Sequence, residues 1–269
     1  MRTRLILSAF MAGYAVLFAP VAALAGSTFD DLRPAIVGDR VIKDGRGIVS
    51  VKAPYRPEDI RAVPLDVDAT LTDGRTVRAV TLVVDNNPSP IAASFKFGPG
   101  RTHVGLGIKF RLNQQSDVRA IVEASDGTLY MTTQLVKFPG GQAACSAPPQ
   151  TPPEETAANL GKMTLADVSS GIAASSINQR VRLALSHPNH TGMVLDQITL
   201  LYTPLKMVRE VTIRQGDEPV FTMEGSIALN ENPVIEFDYR RNGASNIAVT
   251  ATDTDGASFQ RSFPIGPNS

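Results

Sequence analysis

Two blocks of short apolar bursts, each with a period of two residues and separated by a run with no period at all, constrain this 269-residue chain more than any other feature. Alternation at that spacing puts apolar side chains on one face of a strand. In the first block it predicts strands at Ile48–Lys52, Val63–Ala69, Val77–Val84, Ile91–Phe97, Val104–Leu112, Val118–Ala124 and Leu129–Val136. Turns are marked by Thr72-Asp73-Gly74, Asn86-Asn87-Pro88, Gly98-Pro99-Gly100 and Ser125-Asp126-Gly127, where Gly, Asn and Asp accept backbone geometries that other residues resist. Short strands with such spacing read as a sandwich. From Gly140 to Glu155 the period stops, and Pro148, Pro149, Pro152 and Pro153 neither extend a helix nor sit inside a sheet. Leu160 to Ala173 reads either as a turn of helix or as an irregular approach to the next block. Strand signals resume at Val181–Leu185, Val194–Tyr202, Val208–Gln215, Pro219–Met223, Val234–Tyr239, Ile247–Thr252 and Ser258–Phe263, with turns at Gln215-Gly216-Asp217, Asn242-Gly243 and Asp253 to Gly256. The expectation is an all-β chain of two sandwich domains, 26–139 and 161–269, joined by a Gly/Pro-rich linker over 140–160. The two blocks share length and rhythm without a residue-level repeat. Ahead of the first strand, Ser27 to Leu32 caps one short helix, with Pro34 interrupting it or lying in its first turn.

The N-terminus carries an address. Met1-Arg-Thr-Arg4 is a positive leader, Leu5 to Leu24 is apolar, and Ala23-Leu24-Ala25 fits the small-x-small rule for signal cleavage. Residues 1–25 are therefore expected to be a signal peptide, which puts the mature chain in the periplasm. An uncleaved anchor is the alternative, but Gly13, Tyr14 and Pro20 interrupt the run. The chain has 26 basic and 26 acidic residues, so losing Arg2 and Arg4 leaves 24 against 26, a slight acid excess that argues against a nucleic-acid or anionic-membrane partner. No later segment approaches membrane-spanning length, so no membrane insertion is expected after cleavage. With a single cysteine no internal disulfide forms, and stability rests on packed cores.

Catalytic or metal chemistry needs reactive side chains that converge, and the chain has only His103, His187 and His190. No His-x-x-Glu-His, Cys-x-x-Cys, phosphate-binding loop or dinucleotide fingerprint occurs. His187-Pro-Asn-His190 offers two imidazoles that would bind copper or zinc beside a third ligand; a solvated loop after a strand is the plainer expectation. His103, beside the Gly98–Arg101 turn, reads as a surface residue. Asp253-Thr-Asp-Gly256 lacks the further ligands of a calcium loop and reads as a tight hairpin. Tyr55, Tyr130, Tyr202 and Tyr239 read as packing or interface residues. No catalytic residue, metal site or cofactor is expected.

Cys145 remains. It sits in Phe138-Pro-Gly-Gly-Gln-Ala-Ala-Cys-Ser-Ala-Pro-Pro149, with almost nothing local to bury against. Gly140 and Gly141 remove side chains on one side, and prolines stiffen the exit. Such a segment is expected to be an arm that presents the thiol in another protein's cleft. A nucleophilic thiol must be reachable as well as deprotonated, and no Lys, Arg or His lies in the segment to activate it. That favours a carrier over an enzyme. A bystander cysteine and an intermolecular disulfide are the alternatives.

The chain resembles the SoxYZ carrier of bacterial thiosulfate oxidation in a fused, single-chain form, similar to carriers associated with periplasmic quinoprotein dehydrogenases. The SoxY resemblance lies in Val51-Lys-Ala-Pro-Tyr-Arg-Pro-Glu-Asp59, Val63-Pro-Leu65, Leu82-Val-Val-Asp-Asn-Asn-Pro-Ser-Pro-Ile91 and the stretch from Phe138 to Ala147. The SoxZ resemblance lies in Ser186-His-Pro-Asn-His-Thr-Gly-Met193, Val208-Arg-Glu-Val-Thr-Ile213, Phe221 to Ile227 and Phe259-Gln-Arg-Ser-Phe-Pro264. The resemblance implies two immunoglobulin-like sandwiches packed together, with Cys145 holding a sulfur-compound intermediate covalently and Gly140 and Gly141 as its flexible arm. It implies periplasmic sulfur-oxidising partners: a haem-containing sulfur transferase, a sulfate-releasing hydrolase and a sulfane-oxidising dehydrogenase. The pattern departs from the family where Ser-Ala-Pro-Pro follows the cysteine in place of a short glycine tail, and where the arm is tied at both ends. The other expectation is a non-covalent binding or assembly module of a periplasmic quinoprotein dehydrogenase system.

Overall fold

The structure, a computed structural model, describes residues 28–169 and 178–266; the expected signal, 1–25, lies outside them. Helix α1 (Thr28–Val37) precedes the strands β1 (Ile42–Asp44), β2 (Val49–Lys52), β3 (Val63–Thr70), β4 (Val77–Val84), β5 (Ile91–Phe97), β6 (His103–Phe110), β7 (Ser116–Ala124) and β8 (Leu129–Val136). A single 3₁₀ turn (Ala144–Ser146) and the short helix α2 (Pro153–Asn159) follow. The second half holds β9 (Met163–Asp167), β10 (Asn178–Leu185), β11 (Val208–Gln215), β12 (Glu218–Gly225), β13 (Val234–Arg240), β14 (Asn246–Asp253) and β15 (Ser258–Pro264).

The period-two reading holds where one face is covered. In β3, Val63, Leu65, Val67 and Ala69 are all buried, with solvent-facing residues between them. The two sheets run β1-β8-β7-β4-β5-β12-β11-β14-β15 and β2-β3-β6-β13-β10-β9. Both cross from one half of the chain to the other. In the larger sheet, β5 and β12 pair antiparallel with Phe97 opposite Phe221, Phe95 opposite Met223 and Ala93 opposite Gly225. In the smaller, β6 and β13 pair with Leu106 opposite Phe237 and Ile108 opposite Ile235. The two sandwiches therefore share their sheets edge to edge, and one cluster of buried side chains runs from Val63 and Phe95 through to Phe221 and Ile247. Sequence alternation locates strands but carries no record of which edges meet, so the seam had no signal.

On the outer face of the seam, Arg180 of β10 reaches Asp238 at 3.1 Å, Glu236 at 3.3 Å and Asp66 of β3 at 3.3 Å. A Cβ at Gly105 would collide with the Asp238 carboxyl, so glycine there admits this network.

Four local expectations change. Val194–Tyr202 is not a strand: Leu195 and Tyr202 meet only in an isolated bridge, and the Asp196 carboxylate accepts from Ile198 N at 2.9 Å and Thr199 N at 2.7 Å, closing a turn where alternation predicted extension. Met163–Asp167, within the stretch read either as a turn of helix or as an irregular approach, is an edge strand on β10. The proline run does start a helix, because Pro153 occupies the first helical position of α2, where a missing N–H costs nothing. Finally, α1 runs through Pro34 to stop at Gly38, whose N–H donates to Pro34 O at 3.0 Å. Phe29 of α1 lies under the Arg119 guanidinium at 4.3 Å, and Arg119 in turn grips the buried Asp85 carboxylate at 2.8–3.0 Å.

Candidate functional site

The segment between the two halves is docked into a cleft that both line. Cys145 is 0% exposed. This corrects the expectation of an exposed thiol at a tip: the burying groups come from residues far away in sequence, which local composition does not reveal. The Cys145 N–H donates to Asn113 Oδ1 at 2.8 Å, and Thr191 Oγ1 donates to the Cys145 carbonyl at 2.5 Å. Asn113 belongs to the loop after β6, and Thr191 to the loop after β10. One polar group from each half thus holds the cysteine turn.

Each clasp is itself held. Asn113 N donates to Asn87 Oδ1 at 3.0 Å, and Asn87 Nδ2 donates to Arg111 O at 2.6 Å. Arg111 Nη1 crosses to the carbonyls of Ile227 at 3.0 Å and Leu229 at 2.5 Å. Asn189 Nδ2 also donates to Leu229 O, at 2.7 Å, while Asn189 Oδ1 accepts from Val208 N at 2.9 Å. Within the turn, Ser146 Oγ donates to Ala143 O at 3.1 Å and Gln142 Nε2 to Ser146 O at 2.9 Å. Downstream, the two Glu231 carboxylate oxygens accept from Gln150 N at 2.8 Å and Thr151 N at 2.9 Å.

Burial pushes the Cys145 thiol up to about 11, and the positive charge of Arg111 only partly offsets that. At neutral pH the docked thiol is protonated. The docked cysteine is therefore protected and unreactive. Gly140 and Gly141 are exposed, have φ of 98° and 93°, and have no atom within 4 Å of a would-be Cβ. Those φ values lie where side-chain-bearing residues are strained, so the bend entering the turn needs glycine.

The histidine loop is the second correction. His187 is 1% exposed, not solvated. Its Nδ1 accepts from Asn189 N at 3.1 Å, which places the ring proton on Nε2, 3.5 Å from Asp253 Oδ2. Burial pushes its pKa below the ordinary value, with Asp253 pulling the other way. Asp253 is buried at the end of β14, where its Oδ1 also accepts from Asp255 N and Ala257 N at 3.0 and 2.9 Å, as a tight hairpin requires. His190 is half-buried and borders the cysteine cleft. His103 is exposed and bonds Asp238 at 3.1 Å and Thr70 at 3.0 Å; Asp238 raises its pKa. Among the described residues, no three His, Cys, Asp or Glu side chains converge as a metal would need.

Sequence reasoning found Cys145 and missed its surroundings. Arg111, Asn113, Thr191 and Asn230 each sit in short polar interruptions after strands, a weak signal that only the packed halves make legible.

From Met193 to Leu205 the second half also extends an apolar tongue beside this cleft. Ile198 is 93% exposed, and Leu200, Leu201 and Tyr202 are exposed with it. Among the described residues, no helix is long and apolar enough to cross a membrane.

Comparison with known proteins identifies the two halves. The family model for sulfur oxidation protein SoxY matches residues 33–143, and that for sulphur oxidation protein SoxZ matches 172–264. The chain is thus a fused SoxYZ-type protein of the sulfur-oxidation carrier family, its SoxY part preceding its SoxZ part. Cys145 lies two residues beyond the SoxY match. Among solved structures, the sulfur carrier protein SoxY from Chlorobium limicola f thiosulfatophilum is 26% identical, over 41% of this chain and 94% of that one, with a TM-score of 0.33. A superoxide reductase (neelaredoxin) from Ignicoccus hospitalis is 14% identical over 40% of this chain and 90% of its own, with a TM-score of 0.27. A β-glycosidase from Bacteroides vulgatus is 9% identical over 81% of this chain and 24% of its own, at 0.23. None of the curated proteins compared matches the chain.

Proposed function

We propose that the protein is a periplasmic, non-catalytic carrier that holds a sulfur-compound intermediate on Cys145 for partner oxidising enzymes. The observation that carries this is the placement of the chain's one cysteine in a glycine-entered turn held by a single hydrogen bond from each half. The docked thiol is shielded and protonated, so loading requires the turn to leave its cleft, and Gly140 and Gly141 are where the backbone bends as it does so. Once outside, the thiol regains an ordinary acidity, and its thiolate can displace a leaving group from an oxidised sulfur compound. With tetrathionate, for example, the Cys145 thiolate forms a bond to one sulfane sulfur and thiosulfate departs with the broken S–S electron pair. The adduct that remains is Cys145 Sγ–S–SO₃⁻, the cysteine's own sulfur bonded to the sulfane sulfur that carries the sulfonate.

Burial of Cys145 specifically favours one other reading, in which the thiol only fills space and the protein is a non-covalent assembly module of a periplasmic quinoprotein dehydrogenase system. Cys145→Ser separates the two. In the carrier reading it abolishes sulfur-compound oxidation by the reconstituted system while the circular dichroism and melting curve stay near those of the parent. Retained oxidation with the serine variant sinks the carrier reading. Intact mass spectrometry of the protein from induced cells is expected to show a reductant-sensitive adduct on Cys145 and a mature chain starting at Gly26.

A further inference from the structure

At the end of the seam remote from Cys145, the Gly98–Arg101 turn of the first half meets the end of β13 and the Asn242 turn of the second. Cys145 is clasped by Asn113, just beyond β6, whereas Arg101 stands just before that strand, whose eight residues put about 25 Å between the two places. Gly98 N donates to Val220 O at 3.2 Å, and a Cβ on Gly98 would stand 2.1 Å from Pro219 O, so glycine is what lets the turn close onto β12. Beside that contact lies a cleft of about 860 Å³, the part open to solvent included. Arg101 lines it from the first half, and Gln215, Glu218, Arg240 and Arg241 from the second.

Three guanidinium groups thus border one cleft with a single carboxylate. Arg101 is half-buried, its Nε is enclosed without a hydrogen-bond partner, and among the described residues its side chain forms no ion pair. Burial pushes its pKa below the ordinary value, and Glu218 is the charge that pulls the other way. Glu218 is itself exposed, and its Oε2 accepts from Asn242 Nδ2 at 2.9 Å. Arg241 Nη1 donates to Gly266 O at 2.8 Å, while its Nε is enclosed and unmet as well. Arg240 is exposed beside them, also without an ion pair among the described residues. The backbone that carries both is fixed: buried Gln215, in the amide orientation that serves both its sides, donates to Arg240 O at 2.8 Å and accepts from Asn242 N at 3.0 Å. By contrast, Arg75, Arg119 and Arg180 each hold two or more carboxylates. A guanidinium withdrawn from water with no anion to meet it is destabilising, and one exposed carboxylate cannot neutralise three.

We propose that Arg101, Arg240 and Arg241 form a site for a free, doubly charged tetrahedral oxyanion of the sulfate and hydrogen phosphate class, which bridges the two halves at the end of the seam remote from the thiol. The planar guanidinium fork matches two oxygens of such an anion, and groups from both halves leave each of its sides a donor. Bound there, the anion ties the first half's turn to the second half, so the stability of the joined sheets rises with anion concentration by mass action. None of this depends on the carrier reading.

The test uses the full-length chain, titrated calorimetrically at pH 8.0 with sodium sulfate and with sodium phosphate in a chloride background of constant ionic strength. Saturable binding is expected for both. Arg101→Gln and Arg240→Gln should each weaken it about tenfold or more, the size of a lost charge-assisted contact. Arg240 is exposed, so its variant keeps the fold and the test stands even if Arg101→Gln does not express. Arg101→Gln carries a second signature. In chloride alone it should melt no lower than the parent, because it removes an unmatched charge, while in saturating sulfate the parent should gain several degrees that the variant does not. Comparing the two proteins in the same salt cancels the general stabilisation that sulfate gives any fold. Cys145→Ser should bind sulfate as the parent does, whatever becomes of the carrier reading. No saturable binding, or binding indifferent to Arg240→Gln, overturns the site. A chloride melt of Arg101→Gln well below the parent's would mean that the guanidinium is already satisfied, and binding lost in Cys145→Ser would put the anion at the other end of the seam; either result overturns it too.

Discussion

At the scale of single residues, the state of Cys145 is set by what surrounds it rather than by its own segment. Its two clasps, Asn113 and Thr191, are single hydrogen bonds whose net worth is about 1 kcal/mol each, small enough for the turn to open often. A thiol-specific chromogenic reagent at pH 7.5 should therefore label Cys145 far more slowly in the native protein than in urea. Thr191→Val, which keeps the shape and removes the donor, should raise the native rate several-fold with little change in the melting curve. Native labelling at the rate of an unstructured cysteine would refute the docked state. His187 supplies a pH signature by the same logic. Its folded pKa is depressed, so its stabilising contribution is complete above the unfolded value of about 6.5 and is lost as pH falls through the folded value. His103, raised by Asp238, works in the opposite sense: its contribution is present below about 6.5 and fades as pH rises through its folded value. Thermal melts from pH 7.5 to 5.0 should consequently show a shallower loss for His187→Gln than for the parent. An unchanged slope would remove His187 from the account.

At the scale of elements, equal apolar content has unequal consequences in the seam and in the tongue. Phe221 of β12 is fully buried, edge-on to Phe95 at 5.3 Å and Phe237 at 5.1 Å, and so packs against both sheets where the halves join. Phe221→Ala should cost about 3–5 kcal/mol, the range for removing a buried aromatic ring. Ile198→Ser with Leu201→Ser removes two large apolar side chains, but both already face solvent, so the expected effect on stability is within about 0.5 kcal/mol. Chemical denaturation of both variants checks the contrast, and a large loss from the tongue pair would mean that it packs against the fold. This contrast also marks how far the sequence is legible. Val208–Gln215 and Val194–Tyr202 show similar apolar spacing, and only the first is a strand, because nothing in the spacing tells that Asp196 captures the amides of Ile198 and Thr199. Cys145, Gly140 and Gly141 stood out by composition. Arg111, Asn113 and Asn230 did not, because each gains its meaning from a partner that lies on another strand or in the other half.

At the scale of the whole molecule, the shared sheets decide how the chain unfolds. Two sandwiches joined only by the 140–160 segment would melt as two units, since each would own its core. Here β5–β12 and β6–β13 carry backbone ladders across the join, one apolar cluster runs beneath both, and Arg180 ties β10 to Asp66 of β3 from outside. Separating the halves would leave two sheet edges unpaired on each half and the faces around Phe221 and Ile108 open to water, a state with little to stabilise it. The cleft that holds Cys145 exists only while the halves stay joined, because Asn113 comes from one and Thr191 from the other. Calorimetry should therefore give a single transition whose van't Hoff and calorimetric enthalpies agree. Leu183→Ala, a core change confined to the SoxZ half, should lower that one transition without splitting it, and the burst of Cys145 labelling on heating should move down by the same number of degrees. Two resolved transitions, or labelling that stays at the parent temperature while the SoxZ half melts earlier, would mean that the halves are independent domains and that the seam does not couple the thiol's shelter to the fold.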